Sequence, residues 1–419
     1  MPRLLRRRCV RVSSIVFSLF LAGAPAWGQQ IVRGPTQDRP LTGSPEMLYA
    51  VGAEEGEPWE TFGNVAAVSF DRQGNLYVLD RDNGRVNVFG PDGSYQRMIS
   101  QKGEGPGELV FPMAMTVTGD GRLVVHDMGS QGLSVFTREG EFVETVRPQF
   151  STMGMGANRV TAYPKGGVLM QGSQMSGALD GGPPVLSDSV PIFLQPLGAG
   201  DATVLYRAPV AKMEVRTSGT ANARTVNVSS PPRFSPEVYW APLADGRLAV
   251  VHGTEYAVNV ARADGTVGWV LTRPIEPRPV EEADREAERE RTRERMASGA
   301  GMMMVSVDNG RRSVSSGGGA PPEQIQAAVD RLTFAETMPV VRGLRTDLDG
   351  RFWIRRDAGP GEDEPRIDLL AANGGYFGTL NGVAMPDAFG PDGRVAYIEE
   401  NELGVQQVVV RRIPAAWRP

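Results

Sequence analysis

One glycine recurs along this chain at a fixed distance from a second, and that spacing constrains the fold more than any single motif. Gly74 and Gly93 stand 19 residues apart, as do Gly121 and Gly140, and Gly246 and Gly265; Gly121 follows Gly74 by 47 residues. Around them "FDRQGNLYVLDRDNGRVNVFGPDGSYQRMI", "VTGDGRLVVHDMGSQGLSVFTREGEFVETV" and "PLADGRLAVVHGTEYAVNVARADGTVGWVL" align without gaps. Looser copies surround Gly350 and Gly393, and a worn one surrounds Gly166, which makes six. Each copy holds short apolar runs rich in Val, Leu, Phe and Tyr, broken by turns of the Asp-Gly or Asn-Gly kind. That is the pattern of strand, turn and strand, four strands to a copy. A lone four-stranded sheet cannot bury both faces, but a ring of them can. The expected fold is all-β: a six-bladed β-propeller of four-stranded antiparallel blades. The last copy is one strand short, and "EMLYAVG", Glu46 to Gly52, ahead of the first copy, is placed to supply it.

The stretch "GEGPGELVFP", Gly103 to Pro112, fits this frame. It falls after the fourth strand of the first copy and before the first strand of the second, where the chain returns from rim to axis. Glycine allows backbone angles that other residues resist, and Pro112 withholds a donor just as the inner strand starts. A phosphate loop needs a lysine and a following helix, and "LVFPMAMTV" reads as a strand. The residues Gly74–Asp80, Arg85–Phe89 and Gly103–Pro112 resemble the NHL-repeat family, within the TolB-like group of six-bladed propellers. The resemblance is sharp over the first two blades and fades after them. It implies that crossings between blades and the turns between second and third strands share one face.

Domain boundaries follow. Residues 1–28 read as a secretory signal peptide: a basic start with five arginines and no acid, the apolar "VSSIVFSLFLAGA", and small residues at "APAWG". Cleavage is expected near Gln29, and the destination is secreted or periplasmic. Losing those five arginines takes the formal charge from −5 to −10. An acidic chain is a poor partner for nucleic acid, and no later run is long enough to span a membrane. Cys9 is the sole cysteine, so the mature chain has no disulfide and no thiolate site. Residues 29–43 read as a flexible N-terminal segment, 44–413 as the propeller and 414–419 as a tail. Residues 276–338 break the rhythm as a helical, partly disordered insertion between blades four and five. Its charged helices run over Glu281–Ser298 and Pro321–Glu336, joined by a Gly/Ser-rich tract, and it would hang over the crossing-loop face as a lid or as a solvated insertion.

Alternation along the inner strands selects candidates for the axis. One level holds Ala67, Ala114, Arg159, Tyr239, Gly343 and Pro386; the next holds Ser69, Thr116, Thr161, Ala241, Arg345 and Ala388. The level between them, with Val68, Met115, Val160, Trp240, Leu344 and Asp387, is expected between blades. Arg159, Tyr239 and Arg345 together suit an anionic group, although arginines here also serve as structural plugs. The ends of the second strands form a second ring: Asp80, Asp127, Gly172, His252, Arg356 and Glu399. Asp80 and Asp127 precede turns and are expected to cap them, which leaves His252, Arg356 and Glu399 as candidate ligand contacts.

Besides a structural part of an envelope complex, two functional classes stay open. One is a monomeric module that binds an anionic small molecule, a glycan or a protein through the crossing-loop face. The other is an extracytoplasmic hydrolase or lyase using that same face. Lactonases resembling regucalcin hold a cation with axial Glu, Asn and Asp, and peptide-amidating lyases need several axial histidines. The axial positions here show neither, so no metal or cofactor is implied. His126 and His252 are the only histidines.

Overall fold

The computed structural model describes residues 30–418, apart from 151–158, 177–184, 212, 214, 221–222, 229–230, 300–302, 309–310, 317–318 and 360–363. Six four-stranded blades follow one another along the chain. Blade 1 is Val65–Phe70, Leu76–Asp80, Arg85–Phe89 and Tyr95–Ile99; blade 2 is Pro112–Val117, Leu123–Asp127, Gly132–Phe136 and Phe142–Val146. Blade 3 is Val160–Ala162, Val168–Gln171, Ser189–Gln195 and Thr203–Pro209; blade 4 is Tyr239–Pro242, Leu248–Val251, Ala257–Ala261 and Val267–Thr272. Blade 5 is Val341–Thr346, Phe352–Arg356, Arg366–Leu370 and Tyr376–Asn381. Blade 6 takes Ala388–Phe389, Arg394–Glu400 and Gln406–Arg412 from the C-terminal side, and its outer strand is Glu46–Val51. Both ends of the chain thus meet in one blade and close the ring.

The repeated glycines earn their places in the turns between first and second strands. Gly74, Gly121, Gly166, Gly246, Gly350 and Gly393 all have positive φ, from 72° to 101°. In most of them the glycine N–H also closes the turn on the carbonyl three residues back, as Gly121 does on Thr118 at 2.9 Å. A side chain at these angles is strained, which is why the repeat is legible at glycine.

The core lies between blades, in six apolar clusters, one for each neighbouring pair. Tyr77, Leu79 and Val88 of blade 1 meet Met115, Val117 and Val125 of blade 2, for example. Burying a Val or Leu side chain is worth roughly 1.5–3 kcal/mol, so a ring of such seams spreads one core over a long chain. Polar groups stitch the inner strands from blade to blade. Val117 N–H donates to Ser69 Oγ at 3.2 Å, Ala162 N–H to Thr116 Oγ1 at 3.1 Å, and Thr346 Oγ1 to the carbonyl of Pro242 at 2.7 Å.

The crossing Gly103–Pro112 is a tight loop. Gly103 N–H donates to Leu109 O and Leu109 N–H to Gln101 O, while Leu109 drops into the core. At the far end Asp127 accepts from the N–H groups of Val110 and Phe111 and also from those of Gly129 and Ser130. Asp80 does the same for Gly63 and Asn64 and pairs with Arg85. Asp127 therefore caps its own turn, as expected, whereas Asp80 meets its turn only through the Asn83 amide; both tie down the incoming crossing.

Three segments differ from the reading of composition. Residues 30–43 are not a loose lead-in. Gln30–Arg33 adds a parallel strand beside Val267–Thr272 of blade 4. Asp38 then pairs with Arg273 and Arg356, and Leu41 N–H donates to Thr379 O of blade 5. The C-terminal residues are not a free tail either: Trp417 is fully buried, packs on Trp353 and donates its indole N–H to Thr42 O at 2.9 Å. In the insertion, α1 (Glu282–Ala297) and α2 (Pro322–Asp330) flank a hairpin of Met303–Asp308 and Arg311–Ser316, where composition suggested a mobile tract. Alternating Val and Ser in "VSV" and "SVS" suits the pairing of these two strands. The base of the insertion closes where Arg278–Pro279 pairs with Thr337–Met338, and Arg278 bridges Asp284 and Asp357.

Candidate functional site

A cavity of about 670 Å³ occupies the axis. Its wall is made by the inner strands of blades 1 to 3, at Ala67, Ser69, Ala114, Thr116, Arg159 and Thr161, with Arg345, Asp387 and Ala388 from blades 5 and 6. It extends to the turns between first and second strands, at Asp71–Arg72, Gly119, Pro164, Ala244 and Leu348. Tyr239, which opens the inner strand of blade 4, and Gly343, early in that of blade 5, do not line it, and neither do Ala241 and Pro386. The space therefore lies toward the turn end of the axis, not toward the crossing loops where the sequence reading put the binding face.

Arg159 and Arg345 both line this cavity. Arg159 Nη1 donates to the carbonyl of Trp240 in blade 4 at 2.6 Å, and its guanidinium lies 4.9 Å from the Trp240 ring. Arg345 Nη1 donates to the carbonyl of Asp387 in blade 6 at 2.9 Å. Each arginine thus performs the blade-to-blade stitch that Ser69 and Thr116 perform elsewhere. A hydroxyl does this without a charge, and a carbonyl cannot neutralise a guanidinium. Among the described residues neither arginine makes an ion pair with a carboxylate. Burial, with the nearby charge of Arg345 adding, lowers Arg159 to about 9. Burial also lowers Arg345; Asp387 opposes this and Arg355 reinforces it. Both remain cations at neutral pH, in surroundings that strengthen any contact with an anion.

The remaining candidates lie elsewhere. Tyr239 hydroxyl donates to Glu237 at 2.9 Å, and burial, then the Glu237 charge, pushes its pKa up, with Arg342 and Arg355 opposing. His252 sits at the seam of blades 3 and 4, with Nε2 3.3 Å from both Tyr206 Oη and Asn259 Nδ2, and burial lowers its pKa. Arg356 is a buried strut: it holds Asp38 at 2.6 Å and Asp368 at 3.1 Å. Glu399 takes a two-pronged contact from Arg411. None of these four lines the axial cavity, so the six candidates divide into two that share a site and four that do not.

Asp387 is the residue that alternation missed. The inner strand of blade 6 is only two residues long, Ala388–Phe389. The regular up-and-down parity has not begun at Asp387, so the residue lines the cavity instead of the seam. Its carboxylate accepts Ile398 N–H at 2.8 Å, and burial raises its pKa against the pull of Arg345. The other acids in the wall are spoken for. Asp71 accepts from Gln73, Asn75 and the Asn75 amide, and Asp347 from Arg351 and Trp353. Among the described residues no three His, Cys, Asp or Glu side chains gather as a metal site.

The comparisons agree with this architecture. A family model described as "6-bladed beta-propeller" matches residues 61–155. This chain is a six-bladed β-propeller. It is similar to the E3 ubiquitin-protein ligase NHLRC1 of Homo sapiens, 25% identical over 125 residues, 30% of this chain and 31% of that protein. It is also similar to the NHL repeat-containing protein 3 of Mus musculus, 30% identical over 104 residues, 24% of this chain and 30% of that protein. The chain thus matches about a third of the length of these curated relatives, and the NHL resemblance read from Gly74–Pro112 is borne out. Among solved structures, a member of the duf4221 family from Bacteroides vulgatus is 10% identical and covers 90% of this chain and 98% of that one, with a TM-score of 0.44. No helix in the described residues is long and apolar enough to cross a membrane.

Proposed function

We propose that this chain is an exported propeller that binds a small anionic ligand in its axial cavity. The observation that carries the reading is the pair Arg159 and Arg345: two guanidiniums in one cavity of about 670 Å³, with no carboxylate paired to either among the described residues. Buried charges are ordinarily compensated by an opposite charge. Ser69, Thr116 and Thr161 leave room beside them and add hydroxyls. The ligand enters between the strand 1–2 turns, past Arg72 and Leu348, both exposed. Export rests on the basic start, apolar run and small-residue site before Gln29, and N-terminal sequencing of exported protein should begin near that residue.

Calorimetric titration of residues 29–419 with malonate and related carboxylates tests the site. Arg345→Ala should weaken binding by about 1.5–3 kcal/mol, the worth of a charge-assisted hydrogen bond, and added salt should weaken it further. Unchanged binding in the double variant Arg159→Ala, Arg345→Ala, with the fold intact by circular dichroism, refutes the axial site.

A further inference from the structure

Resting on that reading, we infer that the site is built for a dianion, a small molecule carrying two carboxylates, rather than for a single anionic group. The argument is a balance of charge and a geometry. Three guanidiniums belong to the wall: Arg159 and Arg345 inside it and Arg72 at the mouth. Of the three acids in the wall, Asp71 and Asp347 are consumed by backbone, indole and Arg351 donors. Only Asp387 remains to face the cavity, and burial biases it toward its neutral form. Asp71 meets only neutral donors and keeps its charge, while Asp347 is offset by Arg351, so the wall holds an excess of one positive charge, or two with Asp387 neutral. With Asp387 neutral, a monoanion leaves one cation without a partner in a partly dry space, which is the costly arrangement.

The geometry adds the second group. Arg159 comes from blade 3 and Arg345 from blade 5, so blade 4 lies between their strands. Each is pinned through Nη1 to a carbonyl of the following blade, Trp240 for one and Asp387 for the other. The tethers hold the two heads at separate stations and leave the Nη2 groups for a ligand. Each head offers a fork suited to one carboxylate. Burial first, and then the charge of Arg345, lowers Arg159, so whatever neutralises both heads relieves that repulsion as well.

The test compares dicarboxylates of three to six carbons with their monomethyl esters, titrated into the full mature chain. The ester keeps size and shape and removes one charge. The inference expects the best dicarboxylate to bind roughly tenfold or more tightly than its ester, the scale of one charge-assisted contact. Arg159→Gln and Arg345→Gln should each shrink that preference to about twofold or less. Asp387→Asn, which removes the one opposing carboxylate, should keep or widen it. A half-ester that binds as tightly as its diacid overturns the dianion inference while leaving an anion site standing. No binding by any member of the series, with the fold intact, overturns the anion site itself. A preference that survives both glutamine variants places the second contact elsewhere and overturns the assignment of the two arginines.

Discussion

Arg273→Ala probes what holds the N-terminal strap to the ring. The Arg273 side chain is fully buried, and four of its five N–H donors are engaged: Nη1 to Asp368 at 2.7 Å, Nη2 to Asp38 at 2.9 Å and Gln37 O at 3.2 Å, and Nε to Pro35 O at 3.0 Å. Its guanidinium also lies 4.4 Å from the Tyr376 ring. Burial alone would pull its pKa down, but the charge and hydrogen bond of Asp368 outweigh that and raise it. Removing one partner of a buried pair costs about 3–5 kcal/mol. Asp368 keeps Arg356 at 3.1 Å and Thr379 at 2.7 Å, which favours the lower part of that range, about 3–4 kcal/mol. A folded chain of roughly 390 residues has an unfolding entropy near ~0.8 kcal/mol/K, so the melting temperature should fall by about 4–5 °C. Asp38→Asn removes a partner that is one-third exposed, and should cost about 1 kcal/mol or less. The assay is calorimetry of the chain from residue 29 onward, with limited proteolysis read between residues 30 and 43. Arg273→Ala should make that segment the first to be cut. A fall below about 1 °C, or a strap as protected as in the parent, refutes the claim that this network fastens the N-terminal segment.

Three other outcomes are expected. Gly107 has φ +79°, and a Cβ there would sit 2.7 Å from Phe142 Cβ, so Gly107→Ala should cost about 2 kcal/mol or more; Gly105→Ala meets only the movable end of Glu108 and should cost well under half of that in the same urea titration. His126 and His252 both have pKa values lowered by burial, with Asp127 opposing at His126 and a backbone hydrogen bond at His252. The unfolded state therefore takes up these protons first as pH falls, so stability is full above about 6.5 and declines below it; melting temperatures between pH 8 and 5 should show that slope, and His252→Gln should flatten it. Trp417→Ala empties a fully buried site against Trp353 and should cost about 3–5 kcal/mol in denaturant unfolding, where a free tail would cost nothing.

What the sequence disclosed follows what repeats. A turn that needs positive φ writes a glycine into every blade, and a strand buried on both faces writes an apolar run, so blade number, strand number and the closing role of Glu46–Val51 were all legible. Alternation from those glycines also found the cavity wall in blades 1 to 3, where the inner strands are regular enough for parity to hold. It failed at Asp387 because the inner strand of blade 6 is two residues long, and at Tyr239 because the cavity lies nearer the turns than the start of that strand. His252 and Arg356 looked like site residues since a polar group at a strand end is the same letter whether it faces solvent or a partner. The strap was the hardest to see, for a physical reason. Its order comes from a parallel pairing at a blade edge and from a carboxylate, Asp38, whose arginine lies 235 residues further on. Neither contact imposes a period on the residues that make it. A hydrophobic face must recur at the period of its strand to be buried, and so it leaves a pattern, whereas one buried ion pair needs only two residues and leaves none. The same asymmetry applies at the axis: Arg159 and Arg345 could be placed by the strands that carry them, but what answers their charge has no repeat to betray it.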